Sequence, residues 1–229
     1  MKDDTSHSGL DLAESQALVV HELRAPLTVV RGYLDLLRRP MGDADRLRAI
    51  ASAQRATERL DTMLDDLLAT MAGHNLFSPS QTEFVPLRFL AEDIAEELRP
   101  LANHSISVTG ENCSVLGELG RLRQAIFNLV RNAINHAPSG GQISVTITCD
   151  AKEAVLSVED DGPGVSSQDS ERIFGLFERV TAGRSLPGGL GLGLPVARTI
   201  VEAHGGTVGL EDPVELAGAR FVVRMPVAR

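Results

Sequence analysis

Asn128, Asn132 and Asn135 stand at i, i+4 and i+7, so in a helix they share one face. Asparagine favours caps and turns over helix interiors, and three on one face ask for a use beyond helix formation. Their amide oxygens could complete the shell of Mg2+, a hard cation that takes oxygen ligands and keeps several waters. A solvated polar face is the plainer alternative. The run Gly188-Gly189-Leu190-Gly191-Leu192-Gly193-Leu194 opens an apolar helical pattern. Glycines there leave backbone N–H groups and the positive dipole end open to a phosphate, although a tight turn into a helix needs no ligand. In Glu159-Asp160-Asp161-Gly162-Pro163-Gly164-Val165 an acid ends a strand pattern and a DGPG turn follows. Turn chemistry accounts for it, but the carboxylate could also accept a hydrogen bond from an adenine amino group. Finally, His21 and Glu22 put an imidazole beside a carboxylate, which suits a nucleophile with a neighbouring base.

Several other chemistries fail on spacing. A P-loop needs GxxxxGK[ST], and the only lysines are Lys2 and Lys152. The dinucleotide fingerprint needs GxGxxG after the first strand. A zinc HExxH motif fails at Ala25. His204 precedes Gly205-Gly206, which reads as a helix C-terminal cap.

The elements that must position these residues fall into two groups. Val20, Leu23, Leu27, Val30, Leu34 and Leu37 alternate spacings of three and four, the seam of a coiled coil. Upstream, Leu10, Ala13, Ala17 and Val20 keep the spacing, with a phase skip before Leu23 and Pro26 just beyond it, beside His21. After the turn Arg39-Pro40-Met41-Gly42, with Asp43 as N-cap, Leu47, Ile50, Thr57, Leu60, Leu64, Leu67 and Met71 predict a second helix. One hairpin cannot bury its own seam, so a homodimeric four-helix bundle is expected.

Residues 73–81 read as a linker. Beyond it the pattern predicts helices over 87–102, 118–136 and 193–204. Strands are expected over 105–109, 142–148, 154–159, 207–210 and 220–225. The expected fold is α+β: a helical hairpin (1–72), the linker (73–81) and a two-layer α/β sandwich (82–229).

Composition bounds the function. Hydrophobic residues are 43% and aromatics 3% of the 229, so the core is aliphatic. A net charge of −9 argues against a nucleic-acid surface. Cys113 and Cys149 are the only cysteines and read as separate thiols in a reducing compartment, with no disulfide scaffold. No apolar run is long enough to span a membrane, and the polar N-terminus is no signal peptide. A cytoplasmic location is expected, with any sensor or membrane part outside this chain.

The motifs, in this order, resemble those of bacterial two-component sensor histidine kinases. HELRAPLT resembles the H box, NLVRNAINHAP the N box, DDGPG the adenine box, RIFGLFERV the F box and GGLGLGL the second glycine box. The resemblance runs from about Leu10 to Met225. It implies a dimerising phosphoacceptor hairpin, then an ATPase domain of the gyrase and histidine kinase type. It further implies His21 as phosphoacceptor, assisted by Glu22. Asn132 would bind Mg2+, with Asn128, Asn135 and His136 along the nucleotide. Asp160 would read adenine, with Gly162, Gly164 and Val165 around the base. Arg179 would touch the γ-phosphate, and Gly189, Gly191, Gly193 and Leu194 would close the phosphate end of a lid over residues 180–187. The implied activity is autophosphorylation of His21 from Mg2+–ATP, then transfer to an aspartate of a response regulator.

Three positions depart from the family pattern in ways that bear on activity. Ala25 replaces the Thr or Asn that positions a water in phosphatase-competent members, so phosphatase activity is expected to be weak or absent. Asn135 and His136 stand where the family usually has Lys and Tyr, which leaves a degenerate nucleotide-binding dimeric scaffold as the alternative. An ATPase of the gyrase or MutL type would leave the first 72 residues unexplained.

Overall fold

The computed structural model describes residues 12–72, 82–100, 102–178 and 190–228. They divide into two units, one of which holds α1 (Leu12–Leu37) and nearly all of α2 (Asp43–Ala72). The inward positions repeat every three and four residues. On α1 they are Val19, Leu23, Pro26, Val30, Tyr33 and Leu37, and on α2 they are Ala49, Ala53, Ala56, Leu60, Met63 and Leu67. The seam expected from sequence is thereby split. Leu23, Val30, Leu37, Leu60 and Leu67 turn inward, whereas Val20, Leu27, Leu34, Leu47, Ile50 and Leu64 remain exposed. Ala49, Ala53 and Ala56 line much of the inside of α2, so Leu47 and Leu64 are left for something else. Asp43 lies within the first turn of α2, which begins on the carbonyl of Gly42. Pro26 is buried inside α1 and adds no N–H to its ladder. Leu10 and the linker residues 73–81 lie outside the described residues, as do the side chains of Ala13 and Met71.

The second unit is an α/β sandwich. Its elements are β1 (Glu83–Pro86), α3 (Leu87–Leu98), β2 (Ser105–Gly110), β3 (Ser114–Gly117), α4 (Leu119–His136), β4 (Gln142–Cys149), β5 (Glu153–Asp160), α5 (Gly193–Ala203), β6 (Thr207–Glu211) and β7 (Arg220–Pro226). Five strands form a sheet in the order β2-β4-β5-β7-β6, with β2 and β4 parallel and every other pair antiparallel. The helices form the second layer, α4 touching both α3 and α5. Ile94, Leu122, Leu129 and Ile200 from the helices and Ile143, Ile147, Leu156 and Phe221 from the sheet are fully buried.

Three details differ from the expectation. First, α3 stops at Leu98 because Pro100 has no N–H to extend it. Second, β1 and β3 form an antiparallel ribbon, with Val85 and Val115 fully buried. Third, Cys113 and Cys149 are joined as a disulfide, against the reading of two separate thiols. The parallel register causes this. Gly110 pairs with Ile147, and the N–H of Glu111 donates to the carbonyl of Ile147 at 2.8 Å, which carries the chain on toward the end of β4.

His204 caps α5 as expected and does more. Its Nδ1 lies 2.7 Å from the carbonyl of Ile200, and its Nε2 accepts the N–H of Glu118 at 3.1 Å. That pattern puts the ring proton on Nδ1 and clasps the C-terminus of α5 to the start of α4.

Candidate functional site

The buried face of α4 is apolar except for Asn128, which is 3% exposed between Ala125 and Leu129. Asn132 is half-buried, and Asn135 and His136 are exposed. The asparagine face therefore runs from interior to solvent toward the helix C-terminus. The start of α5 abuts it. A side chain at Gly193 would stand 3.6 Å from Cγ of Asn128 and 3.5 Å from Nη2 of Arg131. Among the described residues no side chain caps the N-terminus of α5, and Leu194 is half-buried in its first turn. A guanidinium and uncapped backbone N–H groups thus converge where a phosphate chain could lie.

Gly191 has φ +68°, and a Cβ there would stand 2.8 Å from the carbonyl oxygen of Glu178. Both the conformation and the space require glycine at that point. The backbone on the two sides of residues 179–189 comes together there. On one side, Phe174 packs edge-on against Phe221 and lies under the guanidinium of Arg198 at 3.9 Å. Arg179, Gly189 and the expected lid, residues 180–187, lie outside the described residues.

Asp160 ends β5 and is 1% exposed. Its Oδ1 accepts the N–H of Gly162 at 2.8 Å and that of Ala219 at 3.2 Å. Its Oδ2 is buried with no hydrogen-bond partner among the described residues. Burial pushes the carboxyl above its ordinary value and the charge of Asp161 adds to the rise, while the two N–H donors and His136 oppose it. A buried acceptor without a donor is costly unless something supplies one. Gly162 packs on the carbonyl of His136, so the turn after β5 sits at the C-terminal end of α4. Gly164 and Val165 continue this turn, half-buried.

Sequence reasoning missed Gly218 and Ala219. The backbone of Asp160 donates to Ala219 and accepts from Gly218, at 3.0 and 2.9 Å. A Cβ at 218 would stand 2.3 Å from Oδ1 of Asp160, so only glycine fits. Nothing in the string Ala217-Gly218-Ala219 advertises a partner more than fifty residues away.

His21 and Glu22 lie on α1, in the other unit. His21 is exposed and Glu22 half-buried. Ala25, one turn further on, is also exposed. The structure thus brings together Asn128, Asn132, His136, Asp160, Gly162, Gly191 and Gly193 within the α/β unit, and sets His21 on a separate helical one.

Among the described residues Glu111, Cys113 and Cys149 form the one group of three acids, cysteines or histidines close enough to share a metal ion. Two of its members are joined as the disulfide. No described helix is long and apolar enough to cross a membrane.

Residues 12–71 match the family model for the His Kinase A (phospho-acceptor) domain. Residues 117–229 match that for the histidine kinase-, DNA gyrase B- and HSP90-like ATPase. The sensor protein kinase PmrB of Pseudomonas aeruginosa is 35% identical over 211 residues, covering 90% of this chain and 44% of that protein. The signal transduction histidine-protein kinase/phosphatase MprB of Mycolicibacterium vanbaalenii is 35% identical over 219 residues, covering 88% and 44%. The chain thus spans under half the length of these relatives. The structure of the Acinetobacter baumannii histidine kinase AdeS superposes with a TM-score of 0.67 at 20% identity, covering 91% of this chain and 98% of that one.

Proposed function

Because the chain belongs to the two-component sensor histidine kinases, we propose that it is an ATP-dependent protein-histidine kinase whose phosphoacceptor is His21. The observation that carries this reading is Asp160, buried with one oxygen saturated and the other without a donor. The amino group of adenine is a donor that fits such an acceptor and discriminates against guanine, which offers a carbonyl there.

The nucleotide's phosphates extend toward the uncapped start of α5, where Gly193 keeps the helix end bare beside Arg131. The amide oxygen of half-buried Asn132 suits Mg2+, which is held by few protein ligands together with phosphates and water. When bound, that ion offsets the phosphate charge. A ring nitrogen of His21 attacks the γ-phosphorus, the bond from phosphorus to the β,γ-bridging oxygen breaks, and ADP leaves. Glu22 takes up the proton from the other ring nitrogen. The phosphoryl group then passes from His21 to an aspartate of a response regulator.

The exposed stripe of Val20, Leu27, Leu34, Leu47 and Leu64 supports a homodimer, in which two hairpins cover one another. On this reading residues 1–72 dimerise and carry the histidine, 73–81 link, and 82–229 bind ATP. The chain works on the cytoplasmic side, where ATP is available. Ala25 offers no group to hold a water against the phosphorylated aspartate of the response regulator, so phosphatase activity is weak, and Ala25→Thr raises it.

Incubation with Mg2+ and γ-labelled ATP tests the reading. The expected label survives alkali and is lost in acid, as a phosphoramidate is. A label that survives acid overturns it. Exposed Asn135, where the family has lysine, favours the second reading of a nucleotide-binding dimeric scaffold. That reading predicts ATP binding without label.

A further inference from the structure

Residues 212–219 form a strap between β6 and β7, and its last residues hold Asp160. Little burial secures the first half of this strap. Asp212 to Glu215 are exposed, Val214 to 73%, and a cavity of about 710 Å3 runs between the strap and Val165, Ser167 and Ser170. What fastens the middle of the strap is Glu159, the residue before Asp160, while its end is bonded to the backbone of Asp160. Glu159 is 4% exposed. Its Oε1 accepts three consecutive backbone N–H groups, from Val214 at 2.8 Å, Glu215 at 2.8 Å and Leu216 at 2.6 Å. Its Oε2 lies 4.0 Å from Nε of Arg220, which also pairs with Glu211 at 3.2 Å. A second tie is the hydroxyl of Ser144, which donates to Glu215 at 2.9 Å.

Successive residues of a strand face opposite sides. Glu159 therefore grips residues 214–216 from one face of β5, while Asp160 meets Ala219 from the other. The two grips are coupled through Leu216, Ala217 and Gly218. If the first is released, the two backbone bonds of Gly218 and Ala219 with Asp160 and the tie from Ser144 still hold the strap. The N–H of Ala219 then fixes Oδ1 of Asp160 less firmly, and Oδ2 loses definition toward the base.

We infer that Glu159 is a positioning residue for adenine recognition, acting through the 212–219 strap on Asp160. The inference rests on the reading of Asp160 as the adenine contact. Because the strap touches no phosphate-binding group described above, its release affects base recognition and leaves phosphate binding intact.

The test is calorimetric binding of Mg2+–ADP and Mg2+–GDP to the full chain, with Glu159 varied in the native and Asp160→Asn backgrounds. Glu159→Ala is expected to weaken ADP about tenfold and to leave GDP within about twofold. Glu159→Gln keeps an acceptor in the same place and is expected to restore most of the ADP affinity. Glu159→Asp keeps the charge but shortens the reach, so it weakens ADP in the same direction and carries the test if the alanine variant does not fold. In the Asp160→Asn background, removing Glu159 adds less than about twofold, because the two act as one unit. Additive losses in both backgrounds, or equal losses for ADP and GDP, overturn the inference, as does unchanged ADP binding when Asp160→Asn weakens it. If Asp160→Asn itself leaves ADP affinity unchanged, the underlying reading of Asp160 fails, and the inference with it.

Discussion

Leu129 of α4 is fully buried, whereas Leu34 of α1 is 53% exposed, although both sit on the apolar face of an amphipathic helix. The contrast holds across the two units. The α/β unit closes its own core, with aliphatic side chains from three helices meeting those of a five-stranded sheet. The hairpin buries Ala49, Ala56 and Met63, half-buries Leu23, Leu37, Leu60 and Leu67, and leaves Leu27, Leu34, Leu47 and Leu64 outside. A unit that binds nucleotide needs a rigid pocket, which a closed core supplies. A unit whose partner is a second copy of itself must keep an apolar stripe outward until that copy arrives. On the proposed homodimer, exposed leucines on the hairpin are part of its function, and exposed leucines on α4 would be a defect.

Ways to break this contrast run from large to small. Leu129→Ala should cost about 3–4 kcal/mol of unfolding free energy, independent of protein concentration in denaturant titrations. A concentration-dependent midpoint for that transition would contradict a self-contained core. Opening the disulfide, by Cys149→Ser or a reductant, releases a 36-residue link and should cost roughly 2–4 kcal/mol in the α/β unit only. Calorimetry would show that transition falling while the helical one stays put. Leu34→Glu should leave the α/β transition untouched and weaken self-association about a hundredfold, roughly 2.7 kcal/mol, read by sedimentation equilibrium. Unaltered association would remove Leu34 from the dimer seam.

The smallest effect concerns Asp160. Burial holds its carboxyl above the ordinary value, so the folded chain binds that proton more tightly than the unfolded one. Stability accordingly falls as pH rises from the ordinary carboxylate range through the raised value. Asp160→Asn removes that loss, so the variant should be more stable than the native chain at neutral pH, as denaturant titration would show. The difference should vanish in acid below the ordinary carboxylate value. A site that gains stability when its charge is removed, while losing adenine binding, is one where function has been favoured over stability.

Much of this was legible in the string of residues, for physical reasons. Long elements with strong periods declare themselves, which is why α1, α4 and α5 lie within a few residues of expectation. The hairpin was legible as a hairpin, but its two faces were not separable. Leucine dominates any apolar pattern, while Ala49, Ala53 and Ala56, which face inward, carry almost no signal. Four-residue strands such as Glu83–Pro86 and Ser114–Gly117 are too short to show a period. The disulfide depends on a parallel register between β2 and β4, and no local pattern encodes that. Within the site, Asp160 was visible because a glycine-rich turn follows it. Gly218, Ala219 and the grip of Glu159 were invisible because each exists only once β7 pairs with β5.

The division of labour between the units is tested most directly by locating the transferred phosphoryl group. Wild-type chain and His21→Ala are incubated side by side with Mg2+ and γ-labelled ATP, and the label is mapped by mass spectrometry under alkaline conditions. The prediction is a phosphoryl group on His21 of the wild type and no label on the variant, whose ADP affinity stays native. Equal labelling of the variant, or a label mapped within residues 82–229, would contradict the assignment of His21 as the acceptor and of the α/β unit as the donor site.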